Sequence, residues 1–164
     1  MTATDPKWLT LAVGHIGLRE IPGAKHNQTI INWLVKLKAW WKDDETPWCG
    51  TFVANCLNEA GQPIIKNWMR AKDWASYGSN LRLSCLARGA ILVFVREGGG
   101  HVGFYVGEDT THYHVLGGNQ GNAVSVTRIA KARLIAARWP KDVPVLGGPV
   151  LLTAAGVPVS KNEA

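Results

Sequence analysis

What the chain has little of narrows it first. It holds three cysteines in 164 residues. A small odd number cannot staple a domain of this size, so a disulfide scaffold is excluded. Charged residues make up 18% and apolar residues 46%, a balance that excludes wholesale disorder and fibrous structure. An apolar run of about 20 residues is absent, so stable membrane insertion is not expected. The opening Met1-Thr2-Ala3-Thr4-Asp5-Pro6 lacks the basic-then-apolar layout of a secretory leader, and synthesis in the cytosol is the expectation. The basic residues are scattered singly, without a Lys/Arg run or a basic helix face, which argues against nucleic acid as partner. Gly98-Gly99-Gly100 lacks the lysine and helix of a phosphate loop, and there is no His-Glu-x-x-His helix.

What is present begins with charge. The net charge is +6, unevenly spread. Residues 1–42 carry six bases against two acids; 43–60 carry Asp43, Asp44, Glu45 and Glu59 with no base; 61–164 carry twelve bases against six acids. A basic body suits an anionic partner such as a cell wall.

The first part of the chain reads as helices. Asp5-Pro6 is a helix start followed by Trp8, Leu9, Leu11, Ala12 and Ile16, and Ile21-Pro22-Gly23 closes that segment. A second helix is expected from Asn27 to Ala39, where Ile30, Ile31, Trp33, Leu34 and Leu37 recur at helical spacing. A third runs from Cys49 to Ala60-Gly61, and a short fourth from Met69 to Tyr77. After Ser84 the texture becomes that of strands: Ala90–Arg96, Val102–Gly107, Thr111–Leu116, Val124–Ile129 and Leu134–Trp139. Helices followed by an antiparallel sheet indicate an α+β fold. One domain is expected over 1–140, with 141–164 as an apolar tail broken by Pro144, Pro149, Pro158 and several glycines. Such a tail packs on the domain or frays.

Cys49 falls at the first turn of its helix, after the polar loop Asp44-Glu45-Thr46-Pro47-Trp48. Unpaired N–H groups and the helix dipole favour a thiolate there. Cys56, seven residues on, is about 10 Å away along the same helix, beyond disulfide reach. It reads as a small buried thiol, which is also the plain alternative for Cys49.

A cysteine nucleophile needs a base. His101 opens the strand Val102-Gly103-Phe104-Tyr105-Val106, and alternation sets His101, Gly103 and Tyr105 on one face. Gly103 leaves room above the sheet for substrate or for the cysteine helix. If the next strand folds back around Glu108-Asp109-Thr110, position 101 lies opposite about 117, beside Gly118-Asn119-Gln120. Asn119 is then the residue that orients the imidazole, unless it is a turn asparagine, and Gln120 is its nearest substitute. His112 and His114, two apart on a strand, share a face and are either metal ligands lacking a third partner or exposed strand histidines. His15 and His26 read as surface or packing residues.

Three segments carry a resemblance: Pro47-Trp48-Cys49-Gly50-Thr51-Phe52-Val53, Gly100-His101-Val102-Gly103-Phe104-Tyr105-Val106-Gly107, and Leu116-Gly117-Gly118-Asn119-Gln120. Over residues 5–140 the chain resembles the papain-like cysteine peptidases of peptidoglycan, the NlpC-like and CHAP families, and the small phage endolysins among them. The resemblance implies a papain-like fold and hydrolysis of an amide in the stem peptide or crosslink, with no metal or cofactor. It makes Cys49 the nucleophile, His101 the base and Asn119 the third polar residue, with Trp48, Gly103 and Gln120 placed to contact substrate. Trp48 is as readily a core residue. An upstream amide that would help hold the oxyanion is replaced here by Asp43 to Glu45, so the Cys49 backbone N–H is the expected donor. The resemblance further implies peptidoglycan as partner, a monomer, and an endolysin that waits in the host cytoplasm until a holin pore releases it to the wall. A secreted antibacterial amidase toxin and a non-catalytic wall-binding or virion structural module are the alternatives.

Overall fold

The computed structural model describes residues 5–44 and 46–163; the opening Met1 to Thr4, Glu45 of the acidic loop and Ala164 lie outside the described residues. Helix α1 (Lys7–Gly14) starts behind Pro6, whose fixed φ suits an entry position. It buries Trp8, Leu9 and Ala12, and the Trp8 indole Nε1 donates to Gly89 O at 2.8 Å. Helix α2 (Gln28–Lys36) is capped by Asn27, whose side chain accepts from the Thr29 N–H, a contact that stabilises a helix start by about 1 kcal/mol. Its Ile30, Trp33 and Leu34 are buried. Helix α3 (Cys49–Glu59) is buried from Cys49 through Leu57 and is the central helix of the domain. No helix among the described residues is long and apolar enough to cross a membrane. The expected fourth helix is a 3-10 stretch, Ala71–Ser76, that buries Trp74.

Six antiparallel strands follow: β1 (Ser79–Asn80), β2 (Ile91–Arg96), β3 (Gly99–Glu108), β4 (His112–Gly117), β5 (Ser125–Ala130) and β6 (Leu134–Trp139), in the order β1-β6-β2-β3-β4-β5. Strands β2 to β4 are buried nearly throughout, so they read as apolar runs rather than alternating ones. The architecture is the expected α+β arrangement, N-terminal helices on an antiparallel sheet, consistent with a papain-like fold. The core lies between α3 and the sheet, where Phe52 meets Phe104 edge-on with ring centres 6.2 Å apart. Each such buried ring contributes about 2–3 kcal/mol of apolar transfer.

The β3–β4 register differs from the expected one. Phe104 pairs with Leu116 and Tyr105 with Val115, but a bulge then shifts the pairing to Gly107 with His114. A bulge inserts one unpaired residue and re-aims the strand. Extending the pairing from Phe104 carries His101 opposite the 117–120 turn two residues further along than a simple hairpin would place it.

Residues beyond β6 return along the sheet. Leu151 bridges to Glu108 and Val159 to Arg128 of the edge strand β5. Near the end, the Glu163 carboxylate is buried and takes both Arg133 N–H groups, at 2.6 and 3.1 Å.

Candidate active site

Two elements far apart in sequence meet at the thiol. Cys49 is the first residue of α3 and only 6% exposed; His101 is fully buried on β3. Trp48, at the helix N-cap, supplies no side-chain cap, so its side chain satisfies none of the first-turn N–H groups. Burial alone would push the Cys49 thiol up. The His101 imidazole, through hydrogen bonding and charge, and the backbone N–H groups of Val102 and Gly50 outweigh it and hold the thiol below its ordinary value. Burial would likewise push His101 down, but the Cys49 sulfur, then the charge of Glu163 and the hydrogen bond with Gln120, raise it. Each shift favours the charged form, so the pair tends toward thiolate and imidazolium. Cys56, in the same helix, shows the opposite: burial, aided by the charge of Glu59, pushes its thiol well up. All three cysteines are free, with Cys85 exposed.

The imidazole is oriented by Gln120, not Asn119. Gln120 Oε1 lies 2.9 Å from His101 Nε2. Its amide nitrogen spends both protons on carbonyls, Val115 O at 3.1 Å and Ser125 O at 2.6 Å. With both N–H groups committed, only the oxygen can face the histidine, so Nε2 carries the proton and donates. Nδ1 has no hydrogen-bond partner, and it is the nitrogen left for the thiol. Gly117 makes this possible: a Cβ there would stand 2.5 Å from Gln120 Oε1 and 3.3 Å from His101 Nε2.

Asn119 is not brought to His101. It sits in the left-handed region with φ of 60° and is buried, its amide donating to Glu163 O at 3.0 Å, and the chain reversal delivers Gln120 instead. The expectation that Asn119 orients the base gives way to Gln120, because the turn at Asn119 commits its amide to Glu163 O.

The residues expected to contact substrate stand differently too. Trp48 is 1% exposed; its ring packs near Trp33, and its Nε1 donates to Glu20 Oε2 at 3.0 Å. It is a core residue and lines no groove. The space above Gly103 is filled by Val115, whose Cγ1 would lie 2.5 Å from an added Cβ, so the glycine serves strand packing. Gln120 is buried behind His101 and not in a substrate path. Asp44, one of the upstream acids, is fully buried and structural: it accepts from Ile21 N, Asn27 N and His26 Nδ1. Burial would raise its pKa, but those hydrogen bonds lower it. His15 packs edge-on against Trp33.

His112 and His114 are spoken for. His114 Nε2 lies 2.9 Å from Asp109 Oδ2, and His112 Nδ1 is 2.7 Å from Thr111 Oγ1 with the Arg128 guanidinium at 3.2 Å. A cation beside an imidazole nitrogen opposes metal ligation there.

A cleft of about 370 Å3 reaches Cys49 and is bordered by Pro47, Met69, Arg70, Lys72, Arg96 and Gly100. A depression of about 500 Å3 adjoins it, sharing Lys72 and Asp73, but does not reach the thiol. No sequence signal marked this rim, because the loop before the 3-10 stretch has no periodicity.

A thiol at a helix start, an imidazole beside it and a fixed amide behind that are the parts of a cysteine acyl-transfer centre. The model of one protein family, described as the CHAP domain, matches residues 41–119. Residues 41–119 are similar to CHAP domains. The CHAP match bears out the resemblance to papain-like peptidoglycan hydrolases and points to amidase or peptidase action on peptidoglycan. It spans Cys49 and His101 and stops one residue short of Gln120. No curated protein matches the chain.

Proposed function

We propose that this protein hydrolyses an amide bond of bacterial peptidoglycan, in the stem peptide or crosslink, with Cys49 as nucleophile, His101 as general base and acid, and Gln120 as the residue that orients His101. The observation that carries this reading is a thiol at the start of α3 and a buried His101 on β3 whose Nε2 is held by Gln120 Oε1 at 2.9 Å while its Nδ1 is left without a partner.

The steps follow from the geometry. His101 Nδ1 takes the thiol proton, and the thiolate adds to the amide carbonyl carbon. The resulting oxyanion is stabilised at the α3 N-terminus by backbone N–H groups, among them that of Cys49. Collapse breaks the C–N bond; the imidazolium returns its proton to the departing amine, leaving a thioester on Cys49. Water, deprotonated by His101, then releases the acid and restores the thiol. Burial opposes both charges, and each partner offsets it by stabilising the charge of the other.

The biological setting proposed is that of a phage endolysin, monomeric, held in the host cytoplasm until a holin pore passes it to the wall. The net charge of +6 supports attraction to an anionic envelope.

The test is release of free amines and of reducing ends from purified peptidoglycan. Amine release by the wild type, lost in Cys49→Ala and unaccompanied by reducing ends, is the expected result. Equal amine release by both proteins would refute the reading. For the setting, cytoplasmic expression should leave cells intact until a pore is co-expressed, and lysis without any pore would count against it.

A further inference from the structure

The cleft at Cys49 is lopsided in charge. Arg70, Lys72 and Arg96 border it with a single acid, Asp73, among the described residues. The ion pairs of the described residues use none of these three bases. Solvated surface cations are common, but these stand in a concave wall next to a nucleophile, and two of them are positioned there. Arg96 Nε donates to Gly100 O at 3.1 Å and Nη1 to Glu97 O at 3.0 Å. That fixes the guanidinium plane and leaves its other N–H groups for a ligand. Lys72 is drawn in across Gly100, where a Cβ would stand 2.6 Å from Lys72 Cγ. The triple glycine thus lets one cation lie along the strand and another bond its carbonyl.

We propose that Arg96 and Lys72, with Arg70 at the rim, form a subsite for a free carboxylate of the substrate peptide beside the amide that Cys49 attacks. This deepens the hydrolase reading and rests on it. A carboxylate is the ligand whose charge and two-oxygen shape match a guanidinium flanked by an ammonium. In a stem peptide, a D-glutamate linked through its side chain keeps its α-carboxyl free, and amidation of that group removes the charge without changing the shape. The subsite therefore separates peptides with a free carboxylate from their carboxamide forms. Asp73, on the same wall, opposes the anion and keeps the net charge of the cleft at two positive, from three bases and one acid.

The test uses the full chain carrying Cys49→Ala, which binds without turnover, and two synthetic tripeptides, L-Ala-γ-D-Glu-L-Lys with a free α-carboxylate and the same peptide as its α-carboxamide. The acid form is expected to bind about tenfold tighter at low salt. The preference should shrink at an ionic strength of about 0.5 M, vanish in the added Lys72→Glu change, which brings the charge of the cleft to zero, and invert when Arg96→Gln is added to that, which makes it one negative. Inversion cannot come from misfolding, which would abolish binding of both peptides. Equal affinity for the two peptides, or no affinity for either, while the wild type still releases amines from peptidoglycan, overturns the subsite and leaves the hydrolase reading standing. A wild type that releases no amine overturns the hydrolase reading and the subsite with it.

Discussion

Two buried histidines on neighbouring strands show how differently one side chain can be used. His101 on β3 and His114 on β4 are 0% and 1% exposed, and each has a polar partner at 2.9 Å. The partner of His114 is a carboxylate that also accepts from Arg128, at 2.8 and 3.2 Å, and from the backbone N–H groups of Thr111 and His112. That network is closed, and it pins the β3–β4 turn to β5. The partner of His101 is a neutral amide whose own N–H groups are spent on the sheet, so one ring nitrogen is held and the other kept open toward a thiol. A closed set of partners gives rigidity; an orientated side chain with one capacity unused gives chemistry. Cys49 and Cys56 repeat the lesson within one helix, since only the first has an imidazole and free backbone donors at its sulfur.

The comparison breaks if the two clusters prove interchangeable, and the largest test of that is at the proposed reaction centre. Cys49→Ala and His101→Ala should each lower amine release by at least about 1000-fold, with an unchanged circular dichroism spectrum. Next comes Gln120→Ala, which should cost about 10- to 100-fold in kcat/KM, whereas Asn119→Ala stays within about threefold. The pH profile sharpens this further. The Cys49 thiol lies below its usual value and His101 above its own, so kcat/KM rises as the thiolate forms and falls as the imidazolium loses its proton. Because the hydrogen bond with Gln120 raises His101, Gln120→Ala should move the alkaline limb to lower pH.

A smaller effect is expected on the structural side. Asp109→Ala should lower Tm by about 5 °C and leave kcat/KM within about twofold, read by thermal unfolding and amine release. Arg128 beside it, then the Thr111, His114 and His112 hydrogen bonds, hold Asp109 well below the usual carboxylate range. Its contribution is therefore full above its unfolded value of 3.8 and fades as pH falls below that, so the Tm gap should narrow in acid. The smallest effect belongs to a strong chelator, which should leave amine release unchanged, because neither His112 nor His114 takes part.

Much of this arrangement was legible in the residues. The three helices announce themselves through Pro6, the Asn27 cap and the apolar spacing behind them, and β2 to β6 through β-branched runs between turn signals. Cys49 and His101 were legible because a helix start and a strand start are local features. Strand β1 was missed because two residues carry no period. Gln120 was displaced to second choice because the turn that selects it, with Asn119 at φ of 60° and its amide held by Glu163 O, leaves no mark in composition. The burial of Trp48 and the filling of the space over Gly103 depend on partners from other elements, Trp33 and Val115, which only the folded chain brings near. The cationic rim was invisible for the same reason, since Arg70, Lys72 and Arg96 converge from an irregular loop and a strand end.

The order in which the chain supplies these parts has a consequence for biosynthesis. Cys49 emerges early and His101 and Gln120 late, and Gln120 is secured only after both β4 and β5 have lent it a carbonyl. Until that last pairing forms, a nascent chain carries an ordinary thiol at the start of a helix and no aligned base. Assembly of the proposed reaction centre therefore waits on the last strand pairing, however early the thiol itself is in place.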